Sequence, residues 1–200
     1  MTGSLRERRR QQLREEILDA AQGLVAEKGY GAMNMDELAA RVGISKPTLY
    51  SHFANKGELV VAAATRDIRQ LIALMEEQAA GRSPLDRLTF VMREVLQRHI
   101  QVQTMGIGPW PEIYRLLCEN EEALGAMRRI HEDVVAQVEA AIAEGQIDPR
   151  LDPAAVVLAF YGLMSALAKP HLGAIALAEP ERTAEALVEI FVRGVRKGEG

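Results

Sequence analysis

Apolar residues recur at helical spacing along most of this chain. Ile17, Ala20, Ala21, Leu24 and Val25 form one stripe, and Leu88, Met92, Val95 and His99 a second. Leu124, Met127, Ile130, Val134 and Val138 form a third, and Ala184, Leu187, Val188, Phe191 and Val195 a fourth. Each stripe implies one buried face. β-branched runs are short and Ala, Leu, Glu and Arg dominate, so strands have little to be built from. Breakers at Lys28-Gly29-Tyr30-Gly31, Gly43, Asn55, Gly81 to Pro84, Met105 to Pro111, Glu144 to Pro153 and Leu172 to Pro180 divide the pattern. The expected fold is all-α. It has about nine helices, near residues 8–28, 35–42, 46–52, 56–80, 84–103, 111–118, 121–144, 153–170 and 179–197.

The segment from Asn34 to Leu59 changes the picture from fold to chemistry. Asn34 with Glu37, and Asn55 with Glu58, are spaced as capping boxes, and Ser45 can cap a helix whose first turn tolerates Pro47. Gly43 sits where the first of these short helices must turn sharply, a place suited to positive φ. Leu38, Ala39, Val42, Ile44, Leu49 and Phe53 supply apolar contacts that lock the second helix across the first. This is a helix-turn-helix pattern.

The outward residues of the second helix are Lys46, Thr48, Tyr50, Ser51 and His52, all able to hydrogen-bond with phosphates or base edges. Gly43 to Asn55 contains no carboxylate, as a face entering a phosphate-lined groove requires. The net charge of the whole chain is −4, yet residues 1–14 hold Arg6, Arg8, Arg9, Arg10 and Arg14 against Glu7 alone. A basic arm on an acidic body points to an anionic partner at the N-terminal end. The Arg6 to Arg10 cluster reads either as a solvated tail or as a DNA-contacting arm.

Ile17 to Leu59 resembles the DNA-binding domain of TetR-type transcriptional regulators. The likeness rests on Ile17-Leu-Asp-Ala-Ala, the Lys28-Gly29-Tyr30 break, Leu38-Ala39, and Val42-Gly43-Ile44-Ser45. It continues through Thr48-Leu49-Tyr50 and His52-Phe53 to Lys56-Gly57-Glu58-Leu59. The resemblance implies that Tyr50 contacts a phosphate, and that Lys56 holds another with help from a helix N-terminus. It places Thr48 and His52 at phosphate or base contacts, and Lys46 with Pro47 at the leading edge, with Lys46 reading guanine. Asn34 would cap its helix while touching phosphate. Ser45 and Ser51 complete the DNA-facing set.

Residues 60–200 resemble the family only in helix count and layout, which implies a ligand-binding and dimerisation domain after a head formed by residues 1–59. Met92, Val95, Leu96, His99, Trp110, Ile113, Tyr114, Leu117 and Met164 are the candidate lining of a largely apolar pocket, favouring a hydrophobic or amphipathic small-molecule effector. The small or slender residues Ala155, Leu158, Ala159, Gly162 and Ser165, with Leu187 and Phe191, suit a four-helix homodimer interface.

Composition removes other classes. The chain has 200 residues and 48% hydrophobic content, enough for a substantial core. The apolar run Ala154 to Ala168 is closed by Lys169-Pro170-His171 and falls short of the roughly 18 residues of a span. The N-terminus lacks a secretory pattern, so a cytoplasmic protein without a membrane partner is expected. A single cysteine, Cys118, and four histidines without HExxH spacing argue against a disulfide framework, a metal site or a redox sensor. No cofactor is expected. An enzyme reading lacks a nucleophile–base pair or a Gly-rich phosphate loop. An architectural DNA-binding protein without effector shares the same head, and differs in lacking preference for a palindrome. The expected function is a transcriptional repressor that binds double-stranded DNA as a homodimer, with recognition helices about 34–36 Å apart, and is released by its effector.

Overall fold

The computed structural model describes residues 4–103, 111–166 and 179–197. Those residues form nine helices and no strand: α1 Leu5–Ala32, α2 Met35–Val42, α3 Lys46–His52, α4 Lys56–Gln78, α5 Pro84–Gln103, α6 Pro111–Cys118, α7 Glu121–Ala143, α8 Pro153–Met164 and α9 Pro180–Val195. Proline opens α5, α6, α8 and α9. Its fixed φ suits the first helical residue, and the N–H it lacks has no partner there in any case. Side-chain caps complete several starts: Asn120 Oδ1 accepts from Ala123 N–H at 2.9 Å, and Asp152 Oδ1 accepts from Ala154 N–H at 3.1 Å. Among the described residues no helix is long and apolar enough to cross a membrane.

The chain forms two compact units. One contains the residues up to Arg69 together with the segment ending at Gly125; the other contains Gln70 to Thr104 and Ala126 onward. The expected boundary at residues 59 and 60 therefore falls inside α4, whose first turns belong to the first unit and whose last turns belong to the second.

In the first unit Ile17, Leu24, Leu38, Leu49, Phe53 and Leu59 are fully buried. They come from α1, α2, α3 with the residue that caps it, and α4, so the long α1, the two short helices and the start of α4 share one core. A polar lock joins α1 to α4: Arg66 Nη1 donates to Glu15 Oε2 at 3.0 Å, and Arg66 Nη2 donates to Gln22 Oε1 at 2.5 Å and lies 2.7 Å from Asp19 Oδ1. Burial pushes the Arg66 guanidinium pKa down, but hydrogen bonds and charge from Glu15 and Asp19 together outweigh it and raise the pKa from its ordinary value.

In the second unit α5, α7, α8 and α9 close around Leu88, Met92, Leu96, Val134, Val138, Phe160 and Phe191. The rings of Phe160 and Phe191 meet near edge-on with centroids 5.6 Å apart.

Candidate DNA-reading face and effector cavity

The helix-turn-helix is built by local signals. Asn34 Oδ1 accepts from Glu37 N–H at 2.8 Å and starts α2. Gly43 ends α2 at φ 77°, in the left-handed region, and Ile44 N–H reaches back to the Ala39 carbonyl at 3.0 Å. Ser45 Oγ then accepts from Thr48 N–H at 3.3 Å, so that only residues 43–45 separate α2 from α3. Leu49 points inward, while Lys46, Pro47, Tyr50 and Ser51 are exposed and Thr48 and His52 half-buried. Asn34 and Ser45 are exposed as well. Helix α3 thus presents an outward polar row of the expected composition.

Three contacts refine that row. Lys46 Nζ lies 2.6 Å from Asp36 Oδ2, so a carboxylate from α2 reaches the leading edge of α3. A scan along α3 alone cannot find this partner, which sits ten residues earlier. Lys56 Nζ donates to the Gly31 carbonyl at 3.1 Å and lies 4.4 Å from the centre of the Tyr30 ring, tying the start of α4 to the end of α1. Arg14 donates from Nη1 to the His52 carbonyl at 3.0 Å and stacks 4.2 Å above the Phe53 ring. Arg14 therefore serves the fold of the head as well as its charge.

Arg6 to Arg10 form the opening turns of α1 rather than a separate tail. Ser4 and Glu7 cap that start reciprocally, Glu7 N–H donating to Ser4 Oγ at 3.3 Å and Ser4 N–H to Glu7 Oε2 at 2.6 Å. The expected break at Lys28 to Gly31 is a kink: Gly29 has φ 83°, and one further turn runs to Ala32. His52 sits beside this basic helix. Burial, then the charges of Arg10 and Arg14, lower its imidazole pKa from the usual value.

The candidate effector residues are divided between the two units. Met92 and Leu96 are packed in the core of the second unit, Val95 rests against that core, and Met164 is buried there. Ile113 and Leu117 are buried in the first unit, and Tyr114 is 62% exposed. Trp110 and the side chain of His99 lie outside the described residues. A cavity of about 340 Å³ in the second unit is lined instead by α4, α5 and α7 residues. Ile72, Met75, Phe90 and Ile130 supply apolar wall, and Arg82, Arg87, Arg129, Glu76, Glu132 and Asp133 supply charge. This wall is more polar than the stripes predict. Long side chains reach over a cavity from positions that periodicity assigns to solvent, Arg87 near a helix start and Arg129 in mid-helix.

The proposed dimer residues divide by helix face. Ala155, Leu158, Ala159 and Gly162 are exposed on α8, Leu158 by 72%, and Ser165 and Leu187 are half-buried. Phe191 is 2% exposed, a core residue rather than a surface one, because Ala184, Val188, Phe191 and Val195 share the stripe that faces inward. The exposed apolar residue of α9 is Ile190, at 58%. It flanks the strongest stripe instead of belonging to it, so periodicity does not select it. Among the described residues no group of three or more His, Cys, Asp or Glu is arranged to hold a metal ion. Cys118 is exposed.

Comparison with known proteins places this geometry. Residues 17–63 match the family described as bacterial regulatory proteins, tetR family. The chain is 33% identical over 112 residues to the transcriptional activator FasR of Mycolicibacterium smegmatis, covering 56% of this chain and 48% of that protein. It is 35% identical over 80 residues to the transcriptional repressor KstR of Mycobacterium tuberculosis, covering 40% and 36%. The matched stretches thus span less than half the length of these curated relatives. Among solved structures, the regulator FadR of Bacillus subtilis in complex with stearoyl-CoA superposes with a TM-score of 0.69 at 18% identity, covering 91% of this chain and 99% of that one. At that identity the likeness is one of fold.

Proposed function

From the match of residues 17–63 to the tetR family of bacterial regulatory proteins we propose that this chain is a ligand-released transcriptional repressor of that family, not an enzyme. The observation that carries this reading is α3. It is capped, braced by buried Leu49 and Phe53, and turned so that Lys46, Tyr50 and Ser51 face outward. In the proposal Lys46 and Ser51 approach base edges, and Tyr50, Thr48, His52 and Asn34 contact phosphates, with Ser45, Pro47 and Lys56 fixing the helix starts. Arg6, Arg8, Arg9 and Arg10 extend the contact along α1.

Two copies join through the exposed faces of α8 and α9, with Leu158 and Ile190 at the centre and Ala155, Ala159 and Gly162 allowing close helix approach. The two-fold then sets the separation of the recognition helices. Helix α4 starts at Lys56, beside the DNA-facing set, and its last turns carry Ile72, Met75, Glu76 and Gln78 into the cavity wall. An effector with higher affinity for one setting of α4 shifts the population toward that setting, by no more than its differential affinity.

Selection from random duplex DNA at near-physiological salt tests the reading. A recovered palindrome, preferred about 10³-fold or more over random duplex, is the expected result. Recovery of no motif, with binding that vanishes as salt rises, would overturn it in favour of an architectural role.

A further inference from the structure

The cavity of the second unit contains a guanidinium that the fold does not use. Arg87 is half-buried, and its Nε is shut off from water without a hydrogen-bond partner; among the described residues its guanidinium has neither a bond nor an ion pair. Arg66 shows the contrast. Its Nε is also unbonded, but its other nitrogens are engaged by Glu15, Asp19 and Gln22. Arg66 is spent on the fold, and Arg87 is not.

The other charges of the lining narrow what Arg87 can receive. Arg129 is paired with Glu76. Arg82 stacks 4.5 Å over the Phe90 ring and donates to the neutral Gln78 amide oxygen at 2.9 Å, so its guanidinium is already engaged by a ring and an amide. Asp133 accepts from Gln137 Nε2 at 3.3 Å, and Glu132 is exposed to water. Both carboxylates therefore keep a donor or solvent, whereas the buried edge of Arg87 lacks an acceptor. Desolvated donors left unmet are costly, and a carboxylate matches the planar guanidinium fork with two parallel hydrogen bonds.

Resting on the reading of this chain as an effector-controlled regulator, we propose that the cavity takes a small monocarboxylate with an apolar body, its head on Arg87 and its body against Phe90, Ile130 and Met75. Glu132 and Asp133 oppose a second anionic group, which selects a single carboxylate over a polyphosphate-bearing conjugate of the same chain. The volume of about 340 Å³ lies at the low end of the roughly 300–1,000 Å³ typical of ligand sites. It fits a compact acid.

Calorimetric titration of the full chain with octanoate, 1-octanol, octylamine and octanoyl-CoA tests the assignment. Octanoate is expected to bind most tightly, about tenfold or more above 1-octanol, the margin of a charge-assisted hydrogen bond. In Arg87→Gln octanoate should fall to the level of 1-octanol while 1-octanol is unchanged, which also reports that the variant is folded. Arg87→Lys should fall between, keeping charge but losing the fork. Equal binding of octanoate and 1-octanol, tighter binding of octylamine or octanoyl-CoA, absence of binding by all four, or an unaffected Arg87→Gln would each overturn the proposal. Release from the selected DNA is measured separately by fluorescence anisotropy. Arg87-dependent octanoate binding without release would uphold the site and overturn the effector reading.

Discussion

Lys46 of α3 and Asp36 of α2 meet at 2.6 Å, with both side chains more than half exposed. The residue at the leading edge of the recognition helix is therefore held by a carboxylate that would face the same phosphates. An exposed ion pair contributes little to stability, about 0–1 kcal/mol. Its effect on a polyanionic partner is larger, because removing the negative charge lowers repulsion and frees the ammonium.

Asp36→Asn should thus tighten binding to both operator and random duplex by severalfold at low salt, with an unfolding free energy within about 0.5 kcal/mol of the parent. Anisotropy titrations at two salt concentrations and a denaturant melt check both halves. Unchanged affinity would mean that Asp36 stands clear of the DNA.

His52 gives a pH dependence with two signs. Its imidazole pKa in the folded head is lowered from 6.5, first by burial and then by Arg10 and Arg14. The unfolded chain therefore binds the proton more readily, and the stability contributed by neutral His52 is present above pH 6.5 and declines as the pH falls toward the lowered folded value. Bound phosphate reverses the balance by favouring imidazolium. DNA affinity should rise as the pH falls from about 7.5 to 5.5, while the free protein loses stability. His52→Gln should flatten both trends, and a persisting pH dependence in that variant would assign them to another group.

Gly43 closes α2 at φ 77° with nothing near its Cα face. Gly43→Ala meets no steric neighbour, so its cost is conformational, about 1–2 kcal/mol. Thermal melting should show that loss. A smaller effect would mean that the turn relaxes out of the left-handed region.

Phe191 and Leu158 should part company on substitution. Phe191→Ala empties the contact with Phe160 and should cost about 3–5 kcal/mol of stability. Leu158→Asp with Ile190→Asp should leave the fold intact and separate the dimer, read by equilibrium sedimentation. A dimer surviving the double substitution would move the interface elsewhere.

The order of elements was legible because this chain carries its local signals close together. Asn34, Ser45, Asn120 and Asp152 cap helices that begin within a residue of them, four helices begin on proline, and Gly43 bends where its neighbours require. Helices α2, α3, α5 and α6 lie where periodicity and breakers put them. The start of α1 came out differently. Ser4 and Glu7 form a capping box that opens the helix at Leu5, and that single exposed apolar residue sets no stripe for periodicity to register.

Sequence alone determined the helical class, the turn at Gly43 and the residues that α3 turns outward, because each depends on neighbours within about four positions. Tertiary structure decided the rest. It brought Asp36 to Lys46 across ten residues, turned Phe191 inward and left Ile190 outside, and set Arg87 in a cavity wall without a partner. Those outcomes depend on which helix packs against which face. A stripe says that a face is buried without saying against what, and a charged side chain acquires its partner only when a distant helix arrives beside it.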